Sequence, residues 1–244
     1  MIKTEGKAQD AKPKAWSFRV GHVFSKEKPV LDLGAPALAA GAGNLSYISS
    51  SPGELALETE NEGMEAQINL PRGDYLGWDF SVGTAKYKVW VPSGSVSNQL
   101  AASSGFTVGT GLNVTLVPQT PVNPKVYTRF SWKLSRTRPG RILQGTTGEW
   151  QKIEDKWDIN TFAALMGVQD AWLNSRFSPS AGFEIFSKRA RLVDLRVGEK
   201  VSGTTEGYRF FGAGAWKFSS SDSVEAEVSV GEEQGYRLSL VQRF

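Results

Sequence analysis

Hydrophobic residues recur at every second position along much of this chain, the period of a strand with two unlike faces. Trp16, Phe18, Val20 and Phe24 share one such face, which also carries His22. The Gly/Ala/Pro-rich stretch 25–44 reads as a long loop, with a short helix expected at Pro36–Ala40. A hairpin series follows. Leu45 and Tyr47 lead to a turn at 50–53, then come Leu55, Leu57 and Thr59, and a second turn is expected at Glu60–Gly63. Met64, Ala66, Ile68 and Leu70 lie between that turn and a tight one at 71–74. Leu76, Trp78, Phe80 and Val82 oppose Asp79, Ser81 and Gly83. The phase then flips in the run Tyr87–Val91, which implies a bulge or a change of surroundings.

Beyond a Ser/Gly loop at 92–104, Phe106, Val108, Leu112, Val114 and Leu116 form one face of a two-faced strand. After three prolines within 118–124, Val126, Thr128, Phe130, Trp132 and Leu134 form another. Segment 135–182 is the least regular. Trp157, Ile159, Thr161, Ala163 and Leu165 would line a strand face, while Phe162–Trp172 would also suit a helix. Strands are expected again around Val193–Val197, Tyr208–Phe218 and Val224–Val230, and in the last nine residues.

That last stretch places Tyr236, Leu238, Leu240 and Phe244 on one face, with Gln242 the polar member of the row. Arg237, Ser239, Val241 and Arg243 lie on the other face. A strand ending on a Phe resembles the closing strand of bacterial outer-membrane β-barrels. In that family the terminal aromatic, preceded by alternating apolar residues, is read by the barrel-insertion machinery. The resemblance therefore implies that machinery and outer-membrane lipid as partners, and the outer membrane of a Gram-negative cell as location. It specifies no subfamily. A soluble β-sandwich shares the period of two, but the connections favour the barrel. Those at 50–53, 71–74, 118–124 and 219–222 are short, and those at 25–44, 92–104, 135–150 and 198–206 are longer, as short periplasmic turns and long outer loops would be. The expected fold is all-β, a closed antiparallel transmembrane β-barrel of about twelve strands, with eight to fourteen allowed. It comprises one domain over 15–244 behind a polar tail at 1–14, and Tyr236–Phe244 should pair with Trp16–Phe24. The opening MIKTEGKAQDAKPKAW carries no apolar run typical of a signal peptide, so a removed leader is expected.

Composition alters little. A mean hydropathy of −0.30 is compatible with a barrel whose inner half is polar. Without cysteine there is no disulfide framework or thiolate site. A net charge of +3, with no basic cluster interleaved with aromatics, argues against nucleic acid as a partner. No metal-ligand spacing or phosphate loop occurs, and no cofactor is expected.

If the aromatic and aliphatic face meets lipid, charges must lie opposite. They do so at Arg19, Glu54, Glu58, Glu65, Asp79, Arg129, Lys133, Asp194, Arg196, Arg209, Lys217, Glu225, Glu227, Arg237 and Arg243. These are the candidate lumen residues, lining a pore or forming an ion-pair network. Glu225 and Glu227 lie on a strand between neighbours bearing Arg209 and Lys217 on one side and Arg237 and Arg243 on the other, an arrangement suited to cross-strand pairing. The functional expectation is a passive, porin-like channel for small polar solutes, and not an enzyme. The alternatives are a closed structural or adhesive barrel acting through its outer loops, and a lipid-modifying enzyme. The enzyme would need the single His22 as a base, and no motif supplies a nucleophile or orienting group beside it.

Overall fold

The computed structural model describes residues 16–33, 53–93, 96–101, 104–120, 123–170, 176–196 and 198–244. The helix expected at Pro36–Ala40, the strand at Leu45 and Tyr47 and the 1–14 tail lie outside them. Fifteen strands and no helix occur among the described residues. Ten form the wall: β1 (Ser17–Glu27), β4 (Glu58–Arg72), β5 (Leu76–Ser93), β7 (Ser104–Val117), β8 (Lys125–Thr137), β11 (Asp155–Gln169), β12 (Phe177–Asp194), β13 (Lys200–Lys217), β14 (Asp222–Gly231) and β15 (Gln234–Arg243). Each pairs antiparallel with its neighbours, and β15 returns to β1 in the register Ser17↔Arg243 to Phe24↔Tyr236, so the sheet has no free edge in the wall. The stacked rings of Trp16 and Phe244, 4.1 Å apart, fasten this seam. The count falls within the expected range. Five short strands, β2 (Val30–Leu33), β3 (Gly53–Ala56), β6 (Val96–Leu100), β9 (Arg141–Leu143) and β10 (Trp150–Lys152), build onto the wall at one end.

Both ends of the described chain lie at the other end, with the short turns at 73–75 and 218–221. The irregular segment after 155 resolves as strand: β11 carries Trp157, Ile159, Thr161, Ala163 and Leu165 inward, and Phe162 and Met166 outward. Two expected interruptions do not occur. The chain runs straight through Glu60–Gly63 as part of β4, because Gly63 is a point of close strand approach. A Cβ there would lie 2.0 Å from the Thr84 carbonyl oxygen. Most of 198–206, expected as a loop, belongs to β13. Its Gly203 admits the backbone of β2, and a Cβ would meet the Val30 carbonyl at 2.2 Å.

The phase flip in β5 is a change of surroundings. Its pairing with β4 keeps one register from Glu58↔Trp90 to Arg72↔Leu76, without a bulge. Below the flip, Trp78, Phe80 and Val82 face out and Asp79 faces in. Above it, Tyr87, Val89 and Val91 face in while Lys86 and Lys88 face out. β12 does the same, with Phe183 and Ile185 outward in its lower half and Ala190 and Leu192 inward, between Arg189 and Arg191, in its upper half. The alternation is unbroken, but the outer medium changes from apolar to aqueous. The barrel wall therefore continues beyond the bilayer at the loop end.

Around the lower part runs a belt of exposed apolar side chains that includes Trp78, Phe130, Phe162, Phe210, Val228 and Leu240, the last 62% exposed. In a water-soluble protein so large an apolar surface would be covered. Trp132 is half-buried among its neighbours on the same face.

Candidate functional site: the barrel interior

The interior is layered. At the loop end lies an apolar core in which Leu31, Leu57, Leu100, Ile142, Trp157, Ile159 and Leu192 are at most 2% exposed. The core draws on the wall and on the added strands: β2 supplies Leu31, β6 Leu100 and β9 Ile142. Their in-facing positions arise from the same period of two, now facing other apolar groups across the lumen.

Below the core is a charged layer. Lys188 of β12 stands 3.0 Å from Glu27 of β1 and contacts Glu233 in the β14–β15 turn. Arg209 of β13 bridges Glu184, at 2.7 Å, and Glu233, at 3.3 Å. Ser25 donates a hydrogen bond to Glu27 at 2.9 Å. Three carboxylates thus meet two cations. Burial, reinforced by the Glu27 carboxylate, pushes Glu233 up to about 7 against the pull of Lys188 and Arg209.

A second charged layer lies lower, inside the part of the wall that bears the apolar belt. Glu65 receives Lys133, with Arg237 3.6 Å away. Asp79 is held by Arg129 Nε at 3.0 Å and accepts hydrogen bonds from Asn69, at 2.6 Å, and Asn113. Arg19 contacts Glu225 and donates to Gln67 at 3.4 Å. Glu227 lies among Arg237, Arg209, Arg19 and Arg129. Such pairs offset part of the cost of burying charge and leave little free charge in the lumen.

From within this layer a cavity of about 560 Å³ opens to the mouth at the turn end. Its lining includes Arg19, Tyr127, Arg129, Ser180, Arg237 and Arg243. A smaller cavity of about 140 Å³ lies higher, among Glu27, Glu65, Lys188 and Arg209.

Of the candidate lumen residues, Arg19, Glu65, Asp79, Arg129, Lys133, Arg209, Glu225, Glu227 and Arg237 come together inside the barrel, and Arg243 lines its mouth. The others sit apart. Glu54 is exposed on β3, and Glu58 is exposed at the start of β4, 4.0 Å from Lys28, because both lie above the phase flip. Asp194 is buried at the loop end, accepting a hydrogen bond from the backbone N–H of Arg196 at 2.8 Å, and Arg196 itself is exposed in the turn after β12, outside the lumen. Lys217 ends β13 at the turn end. Sequence reasoning missed Glu27, Glu184, Lys188 and Glu233. The alternation Gly182, Glu184, Phe186, Lys188 against Phe183 and Ile185 could have found two of them. Glu27 was hidden in an assumed loop and Glu233 in a turn. His22 faces outward, 3.2 Å from Glu62 and 5.9 Å from the Tyr236 ring.

No family model matches the sequence, and no curated protein matches it. Solved structures do. The outer membrane protease OmpT from Escherichia coli superposes with a TM-score of 0.56 at 9% identity, over 96% of this chain and 98% of that one. The beta domain of the Bordetella autotransporter BrkA gives 0.47 at 9% identity over 95% and 100%. The NalP translocator domain from Neisseria meningitidis gives 0.46 at 10% over 96% and 90%. The chain has the fold of a bacterial outer-membrane β-barrel. At such identities the likeness shows the fold alone.

Proposed function

We propose that this protein is a closed outer-membrane barrel, a membrane-anchored scaffold that works through its loop-end sheet extension and not through its lumen. The observation that carries this reading is the seal. An apolar layer with side chains essentially free of solvent sits above two layers of directly paired charges. A conducting path needs acidic and basic walls separated by water, whereas contacts near 3 Å lock the walls together. No catalytic role is assigned: His22 faces outward beside a carboxylate, and the lumen carboxylates Glu27, Glu65, Asp79, Glu184, Glu225 and Glu233 are each engaged by a cation. The same cations and carboxylates serve to stiffen the barrel.

The turn-end cavity, with its arginines, favours a second reading as a narrow channel for small polar solutes. Planar-bilayer recording separates the two. A closed barrel shows no conductance steps, and Glu225→Ala combined with Arg237→Ala lowers stability without creating any. Steps from the native protein whose size or ion selectivity changes in the double variant would establish the channel instead.

A further inference from the structure

The outer surface of β8, β11 and β12 carries a charge pattern that the closed-barrel reading does not use. Cross-strand partners place Arg136 opposite Asp158, Asp158 opposite Arg191, and Asn160 opposite Arg189. All face outward, above the apolar belt. Asp158 is already held by Arg136, at 2.7 Å, and by Lys156, at 2.9 Å. Arg189 and Arg191 are exposed and make no ion pair with a described residue. Arg136, Lys156 and Arg191 therefore adjoin one buried carboxylate, with Arg189 one outward position below Arg191. Two acids offset these cations in part: Asp32, beyond Ser202 of β13, and Glu206, opposite Ser187 at the edge of the groove below.

Directly below is a concavity in the bilayer-facing wall, about 810 Å³ in volume. The large side chains of Trp78, Phe130, Phe162 and Ile185 stand around the small Ala164 and Ser187. The register connects the two features. Asn160 and Arg189 sit one outward position above Phe162 and Ser187, a step of about 7 Å along the strands. An unpaired cationic pair at the edge of an apolar groove, at the water–bilayer boundary, is complementary to a molecule with an anionic head and an alkyl tail.

We propose that this face binds one phosphate-bearing, acyl-chained lipid of the loop-side leaflet. Arg189, Arg191 and the Asn160 amide hold its phosphate, and one acyl chain lies in the groove against Phe130, Phe162 and Ile185. A guanidinium suits a phosphate because its fork donates two parallel N–H bonds. The aliphatic and aromatic walls supply the affinity that a free phosphate would lack. The inference rests on the bilayer position of the apolar belt and is independent of whether the lumen conducts.

The test uses the folded barrel in dodecyl maltoside micelles doped with dipalmitoyl phosphatidic acid, with retained lipid read by native mass spectrometry. One lipid per barrel is expected. Arg189→Ala with Arg191→Ala should weaken retention about thirtyfold, at roughly fivefold per cation near a membrane surface. Both residues are exposed, so the unheated electrophoretic mobility of the folded barrel should stay that of the native protein. Ala164→Trp, which fills the groove, should also lower retention. Dipalmitoyl phosphatidylcholine should be held far more weakly, and inorganic phosphate should not displace the bound lipid. Equal retention of the two lipids, unchanged retention by the folded double variant, or displacement by inorganic phosphate would overturn the proposal.

Discussion

Glu233 offers a perturbation whose sign depends on pH. Its carboxyl sits in the β14–β15 turn, 3% exposed, beside Glu27, Lys188 and Arg209. Its pKa rises from 4.5 in the unfolded chain to about 7 in the folded one. The folded state therefore binds more proton than the unfolded state between those values. The stability that this proton contributes is fully present below about 4.5 and is lost as pH rises through 7. Integrating over pH 5 to 8 gives a loss of roughly 2–3 kcal/mol from this group. Glu233→Gln removes the titration while keeping the shape and an oxygen that accepts from Lys188. The variant should match the native protein near pH 5 and exceed it by roughly 2 kcal/mol near pH 8. The assay is reversible urea unfolding in micelles, followed by tryptophan fluorescence at both pH values. A variant destabilised equally at pH 5 and 8 would show that the cluster needs a charged Glu233, and would refute the reasoning.

Other outcomes follow from the layers. Trp157→Ala, opening the apolar seal at a site with no exposure, should cost about 3–5 kcal/mol in the same assay. Phe80→Arg, on the bilayer face, should cost about 2–4 kcal/mol in lipid vesicles and much less if that face meets water. Gly21→Val should block closure, because a Cβ there would lie 2.2 Å from Ser239 Oγ and 2.6 Å from the Leu238 carbonyl. Loss of the compact unheated band on electrophoresis would report it. Asp79→Ala removes the acceptor shared by Arg129, Asn69 and Asn113 and should cost about 1–3 kcal/mol, and Arg129→Met combined with it should recover part of that loss.

The seam between β1 and β15 was legible because both strands keep strict alternation, and because closure is the one arrangement that leaves no edge in lipid. Trp78, Phe80 and Val82 could be read as bilayer-facing for the same reason. The upper half of the wall was harder. Alternation fixes which residues share a face but not which medium that face meets, so Tyr87 and Val89 looked like a defect and Glu54 and Glu58 looked like lumen residues. Glycine misled in two ways. Gly63 and Gly203 resemble turn signals in sequence, yet each serves to let another backbone approach. In the interior, Arg19, Asp79 and Arg237 were visible on clean polar faces. The Glu27–Lys188–Glu233 contact joins residues more than 40 positions apart through closure of the barrel, and no local pattern announces it.

In the closed barrel proposed above, the lumen is a blind vestibule, open at the turn end and sealed at the loop end. The chain has no cysteine, so a single Ser180→Cys places one thiol in the vestibule. In sealed vesicles of known orientation, a membrane-impermeant maleimide should label that thiol from the side of the termini and not from the side of the loops. Equal labelling from both sides would mean a continuous aqueous path, and the closed barrel would have to be abandoned.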